Sequence, residues 1–401
     1  MGEEYTNIHK KQIIETICSQ KSESSFLRNT RENAYELFER LPMPDFRYGM
    51  SIKLDISPFD INKINPLEKS KKDMFEVLSE DGVVVEDIRT AIKTNQEVRK
   101  YFMRNVVIND KISAMNIAFW QNGKVIHIPK GTVMKKPIEI LSKIYSNNLI
   151  EYVLIIVEPD CDVSIVEEIS SKEDNIISYN GKVVEIIVKE NSVLHYANVQ
   201  NLSKDYFNFV RKRAVVESNS TMNWLDCCLG SRFTKSDITT VLKGQGAVTN
   251  NYGIFFGSSN QQFDLHTGTI HAERNTICDM LTKGALNNKA RAVYSGLVKI
   301  NSNASNSNGY QKEDTLLLSP DAEADSIPQL EIDNNEVRCT HGATVGQVDK
   351  EKLFYLMSRS LPENTAKKLI VEGFFEPMIQ KISVKHIQEK LREIVEEKIV
   401  I

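Results

Sequence analysis

The sequence predicts a mainly β protein with helical ends, and three observations carry that prediction. Residues 111–346 form a long stretch of short β-branched runs separated by turn residues. Helical spacing of apolar residues appears before it, in residues 1–110, and after it, in residues 347–401. The 401 residues are 41% hydrophobic and 26% charged, the balance of a soluble globular chain able to bury a large core.

In the N-terminal region, SSFLRNTRENAYELFERLPMPDF places Leu27, Ala34, Leu37, Phe38 and Leu41 on one helical face. Pro42 and Pro44 then stop the helix, because proline lacks an amide donor and clashes with the preceding turn. A second helical stretch is predicted over about Val84–Phe102.

The central region contains runs such as NIAFWQNGKVIHIPKG, EYVLIIVEPDCDVSIVEE, KVVEIIVKENSVLHYANVQN and ARAVYSGLVKI, with NG, KG, PD, EN and SN as turn signals. A single sandwich uses seven to nine strands in about 100 residues. This stretch is more than twice as long and has no linker. Two stacked sandwiches or a solenoid both fit. The unbroken strand–turn rhythm suits a solenoid, although no strict short repeat is visible. Helical flanks would cap its ends.

In the C-terminal region, Leu353, Leu356 and Met357 share a face, and Pro362 ends that helix. A second helix runs through Ala366, Leu369, Ile370 and Phe374, and KHIQEKLREIVEEKIVI is a third. These faces fit packing against the end of the solenoid. They equally fit a docking surface, since aromatic-rich helical faces anchor partner proteins.

The net charge of −4 gives no basic field for nucleic acid or anionic lipid. No apolar run is long enough to span a bilayer. The opening residues MGEEYTNIHKKQ lack the apolar core of a leader, and six scattered cysteines show no zinc spacing. The expectation is a protein of the reducing cytosol. Nucleotide-phosphate loops, HExxH and GxSxG elbows are absent, so no reaction is advertised. A polysaccharide-cleaving β-helix enzyme would need clustered carboxylates that spacing cannot show.

His266 and His271 are five apart and so fall on opposite faces of a strand, which argues against a shared metal. Cys227 and Cys228 also face apart. In Cys339-Thr340-His341-Gly342 the thiol and imidazole share a face and could hold iron or a cluster edge, with Gly342 allowing a turn that exposes the imidazole. The same pair fits a half-buried cysteine and a surface histidine at a strand end.

The stretch SIPQLEIDNNEVRCTHGATVGQVDKEKLFYLMSRSLPENTAKKLIVEGFFEPMI resembles the C-terminal part of the SufB/SufD family of iron–sulfur cluster assembly scaffolds, nearer to SufD. The pattern is carried by Pro328, Leu330, Glu331, Ile332, Val337, Cys339, His341, Gly342, Ala343, Thr344, Gly346, Leu353, Phe354, Tyr355, Ser358, Arg359, Gly373 and Phe374. Upstream, NGKVIHIPKGTVMKKPIEI, LTKGAL, YSGLVKI and ENAYELFERLPMP are similar to the family's segments. Ser360 departs from the family's glycine. SufB-like chains carry cysteines where this chain has Glu313 and Ile169, which moves it to the SufD side. Gln200 and Lys212 match positions proposed to line a sulfur path in SufB, but Leu202 replaces the tryptophan there, so that role is not carried over.

The resemblance implies a right-handed parallel β-helix between helical ends that is not an enzyme. Its implied partners are a SufB-like paralogue and a SufC-like ABC-type ATPase, with a homodimer possible for the chain alone. The ATPase would dock on Leu353, Phe354, Tyr355, Arg359 and Phe374. His341 and Cys339 would be the ligands of a transient iron or iron–sulfur cluster at the SufB–SufD face, with no stably bound cofactor. The alternative is a purely structural dimerisation platform without metal contact.

Overall fold

The computed structural model describes residues 8–48, 52–68, 70, 72–79, 82–172, 176–382 and 385–399, so the polar segment 1–7 lies outside the described residues. The central chain coils into a parallel β-solenoid of about eight turns, which decides between the two architectures the sequence left open. Successive strands alternate between two nine-stranded sheets, so each strand pairs with the strand two places on. The first sheet runs from Met74–Leu78 to Arg338–Gln347, and the second from Val84–Asp87 to Glu323–Ile332.

The corners explain how the coil repeats without an obvious sequence repeat. A left-handed residue recurs every 27 to 31 positions at Gly131, Asp160, Asn191, Asn219, Gly246, Asn275 and Asn306. Glycine, asparagine and aspartate tolerate that conformation better than other residues. The amides of Asp160, Asn191, Asn219, Asn275 and Asn306 each donate to a carbonyl one coil further on, at 2.7–3.1 Å. The corner backbone is thus satisfied by its own stacked copies.

Between corners, alternate residues face the lumen. Its apolar part includes Ile155, Val184, Leu194, Met222, Trp224, Met280 and Val298, all buried. The outer face of the second sheet is covered by the N-terminal region, whose core joins Phe59 to Tyr179, Phe207 and Phe209. There the Arg31 and Arg89 guanidiniums lie over Trp120, 4.0 and 4.5 Å from its ring centroid, and both are salt-bridged to Glu23 at 2.8 Å. Glu185 ties this region down by accepting the amides of Met103 and Asn105 at 2.7 and 2.8 Å.

Three expectations are corrected. The helix predicted over Val84–Phe102 starts at Ile88, capped by Asp87, and Val84–Asp87 is a strand. With Met74–Leu78 it pairs antiparallel onto the first coil, and the two are the terminal strands of the sheets at the N-terminal end. Its alternating β-branched residues fit a half-buried sheet surface better than a helix. Conversely, Lys111–Phe119 is a helix, not the first strand of the β region, which begins at Asn122. It is buried on all sides and so lacks the amphipathic spacing that marks a surface helix. Finally, the C-terminal helices do not cap the far end. Glu363–Ile379 and Lys385–Ile399 lie along the first sheet's outer face, packing Val371, Phe375, Met378, Leu391 and Val395 on Val166, Val199, Leu225 and Phe256.

Candidate functional site

The C-terminal end of the solenoid is open. Glu323–Ile332 and Arg338–Gln347 are the terminal strands of the two sheets, each paired on one side only, and neither contains a buried residue. Each presents a row of unpaired backbone donors and acceptors, the template on which another strand adds.

His341 and Cys339 lie in this last strand and share the lumen-facing side, as the alternation predicts. The structure separates their settings. Cys339 is half-buried and packs with Leu330 and Val337 on the lumen core, and burial pushes its thiol pKa up. Its Sγ comes within 3.1 Å of where a Cβ on Gly309 would stand, and Cys278 Sγ within 3.6 Å, so Gly309 leaves a gap between two thiols. His341 is exposed. Gly342 continues the strand, so no turn exposes the imidazole. It is exposed because no further coil covers it.

Beneath His341 in register is Gln311, and beneath Ala343 is Glu313. Both are buried, at 1% and 2% exposure, and face the lumen. Glu313 Oε1 accepts from the Thr315 hydroxyl. Its Oε2 lies beside Ser326 without completing a hydrogen bond, and Gln311 Oε1 is also unpartnered. Among the described residues, the only charge acting on this carboxyl is that of Asp314, and burial raises its pKa to about 7. Of this pair the sequence marks only Glu313, as a replaced cysteine, and not its inward orientation. In NGYQKEDTL both faces of the strand read as polar, so alternation does not show which residues turn inward.

Deeper in the lumen, buried charges are matched. Lys182 Nζ bridges Glu151, at 2.9 Å, and Glu167. The Tyr196 hydroxyl donates to Glu167 at 2.5 Å, and Lys212 donates to Asp226 at 2.6 Å. Asp226 also accepts from Asn198 and Ser236. Burial pushes Glu167 and Asp226 up, but the lysines beside them outweigh it and hold both below the usual carboxylate range. Gln200 Oε1 is likewise engaged, accepting the Gly230 amide at 2.8 Å.

The other residues singled out by sequence divide. Leu353, Phe354, Tyr355 and Arg359 lie on or beside the helix Lys350–Ser358, which buries no residue, and Phe354 is 73% exposed. The Arg359 guanidinium sits over the Tyr355 ring. Phe374 lies half-buried on the next helix, Glu363–Ile379. It packs edge-on to Phe375, and its carbonyl accepts from Lys283 at 2.7 Å. Ser360 has φ +66°, a conformation that costs a side chain about 1 kcal/mol and glycine little, which accounts for glycine in the family pattern. Cys227 and Cys228 are both core residues in different clusters, as opposite faces require. His271 is buried, with Nδ1 2.8 Å from the Thr276 hydroxyl, while His266 lies beside Ser295. Among the described residues, Glu97, His127 and Glu158 cluster as metal ligands would, but Lys189 already bonds both carboxylates.

Comparison with known proteins agrees with the family pattern in the sequence. Residues 141–374 match the profile described as "SUF system FeS cluster assembly, SufBD core domain", and 63–140 match the SufBD N-terminal region. An iron-sulfur cluster assembly SufBD family protein of Staphylococcus epidermidis is 28% identical over 424 residues, covering 95% of this chain and 91% of its own. The iron-sulfur cluster assembly protein SufB of Bacillus subtilis is 29% identical over 427 residues, with the same coverage. With the core-domain match spanning more than half of its length, the chain belongs to the SufBD family of SUF-system iron–sulfur cluster assembly proteins.

Proposed function

We propose that this chain is a SufD-type, non-enzymatic subunit of a cytoplasmic SufB–SufC–SufD scaffold, and that it supports iron acquisition and cluster formation at its face with the SufB-like paralogue. The observation that carries this reading is the open end of the solenoid. It offers two unpaired sheet edges to a second β-helix and sets the uncovered His341 between them, above the half-buried Cys339. An imidazole can ligate iron, and a neighbouring thiolate can hold a cluster edge. The iron and cluster are cargo in this reading.

The SufD assignment rests on two residues, since the Bacillus relative bears the name SufB. Glu313 and Ile169 stand where SufB-like chains carry cysteines, and both are buried in this fold, Ile169 against Leu149, Leu202 and Tyr206. The Lys350–Ser358 helix, with its uncovered aromatic face, is the dock for the ABC-type ATPase. No helix among the described residues is long and apolar enough to cross a membrane.

The test is His341→Ala in the reconstituted three-component complex. The expected result is an intact complex with reduced iron content and cluster yield. Unchanged iron and cluster would remove the ligand role and leave a purely structural platform.

A further inference from the structure

Among the described residues, Glu313 is a buried lumen carboxyl that no cation matches. Glu313 is almost fully enclosed, yet only the hydroxyls of Thr315 and Ser326 face it among the described residues, and no lysine or arginine acts on it. A buried carboxylate without a cation is costly enough that native structures rarely keep one. Gln311, on the same face two residues before it, also leaves its amide oxygen unpartnered. Its side chain lies against Gly296 of the facing sheet, where a Cβ would come within 2.1 Å of Nε2, so a residue without a side chain makes room for it. Over Glu313 the last strand places only the methyl group of Ala343, and over Gln311 it places His341.

We propose that the solenoid mouth is a divalent transition-metal site, in which the Glu313 carboxylate and the Gln311 amide oxygen supply oxygen ligands beneath the His341 imidazole. The proposal builds on the reading of His341 given above and adds two ligands to it. Adjacent strands lie about 4.8 Å apart, and diagonal neighbours on one face about 7–8 Å. His341 over Gln311, with Glu313 diagonal to it, is therefore within reach of one ion held about 2.0–2.2 Å from each ligand atom. One carboxylate, one amide oxygen and one imidazole suit ferrous, manganous or zinc ions and disfavour cuprous ion, which prefers sulfur. The ion supplies the positive charge that Glu313 lacks.

The full-length chain, kept anaerobic, is titrated with Co(II) by visible absorption and with Fe(II) by calorimetry. The wild type should bind one ion, and Glu313→Gln should weaken it at least about tenfold, with Gln311→Leu weakening it less. Circular dichroism and melting temperature check that each variant is folded. If Glu313→Gln binds within twofold of wild type, or the wild type binds no ion, the proposal falls. The failures separate. Loss of binding in His341→Ala alone keeps the imidazole reading and overturns the oxygen ligands. Loss in Glu313→Gln alone keeps the carboxylate ligand and overturns the imidazole reading.

Discussion

The middle of the lumen and its mouth are built from the same kinds of residue to opposite effect. In the middle, Glu151, Glu167 and Asp226 each touch a lysine, and a tyrosine, a serine and an asparagine complete the network. At the mouth, Glu313 meets the hydroxyls of Thr315 and Ser326 but no cation. The backbone draws the same contrast. Each sheet has a terminal strand at both ends, but the N-terminal pair runs antiparallel to the first coil, whereas the C-terminal pair continues the parallel ladder and leaves its last coil uncovered. Matched charges serve the fold of the chain alone. The uncovered C-terminal end is where, in the proposed reading, a second chain or an ion completes the structure.

Breaking the matched side gives the largest effect. Lys182→Met leaves Glu151 and Glu167 buried without the cation between them, with Glu167 feeling only the charge of Lys212, which is bonded to Asp226. Removing one partner of a buried ion pair costs about 3–5 kcal/mol. Chemical denaturation should show a loss of that size. A loss below about 1 kcal/mol would mean that the lumen does not depend on the pairing.

The mouth should respond with the opposite sign. Folded, Glu313 keeps its proton up to about pH 7, against 4.5 for the ordinary carboxyl. Between those values the folded state binds more protons than the unfolded one, so this group's contribution to stability falls as pH rises through the window. Above pH 7 the accumulated cost is about 3 kcal/mol. Glu313→Gln has no proton to lose. It should match wild type near pH 4 and exceed it by up to about 3 kcal/mol at pH 8, without added metal. Glu185, raised to about 7 by burial, keeps its own slope in both proteins. A variant less stable than wild type at pH 8 would show that the carboxylate is satisfied after all.

The contrast also marks what the sequence could reveal. The β class was legible from β-branched runs, and Cys339 and His341 were legible as one face because side-chain alternation is local. The coil was not legible as a repeat, because its period is kept by left-handed Asp160, Asn191, Asn219 and Asn275 at unequal spacings, without a fixed motif. Lys111–Phe119 hid because a helix buried all round has no polar face. Glu313 could be noticed only as a replaced cysteine. Its isolation depends on Thr315 beside it, Ser326 across the lumen and Ala343 in the next coil, contacts set by register rather than by sequence proximity.

The smallest effect on stability belongs to the surface that nothing in this chain covers. The Lys350–Ser358 helix buries no residue, and Phe354 keeps 73% of its surface exposed, so Phe354→Asp removes almost no internal packing. Exposed substitutions of this kind stay within about 0.5 kcal/mol, and the unfolding free energy should not move beyond that. Capture of the ABC-type ATPase should be lost, because an aromatic anchor becomes a charge that the interface would have to desolvate. Leu353, half-buried on the same helix, is the control, and its change to aspartate should lower stability and capture together. If Phe354→Asp retains the ATPase, the docking face lies elsewhere. The exposed aromatics of this helix would then belong with the single exposed apolar groups that folded proteins commonly carry.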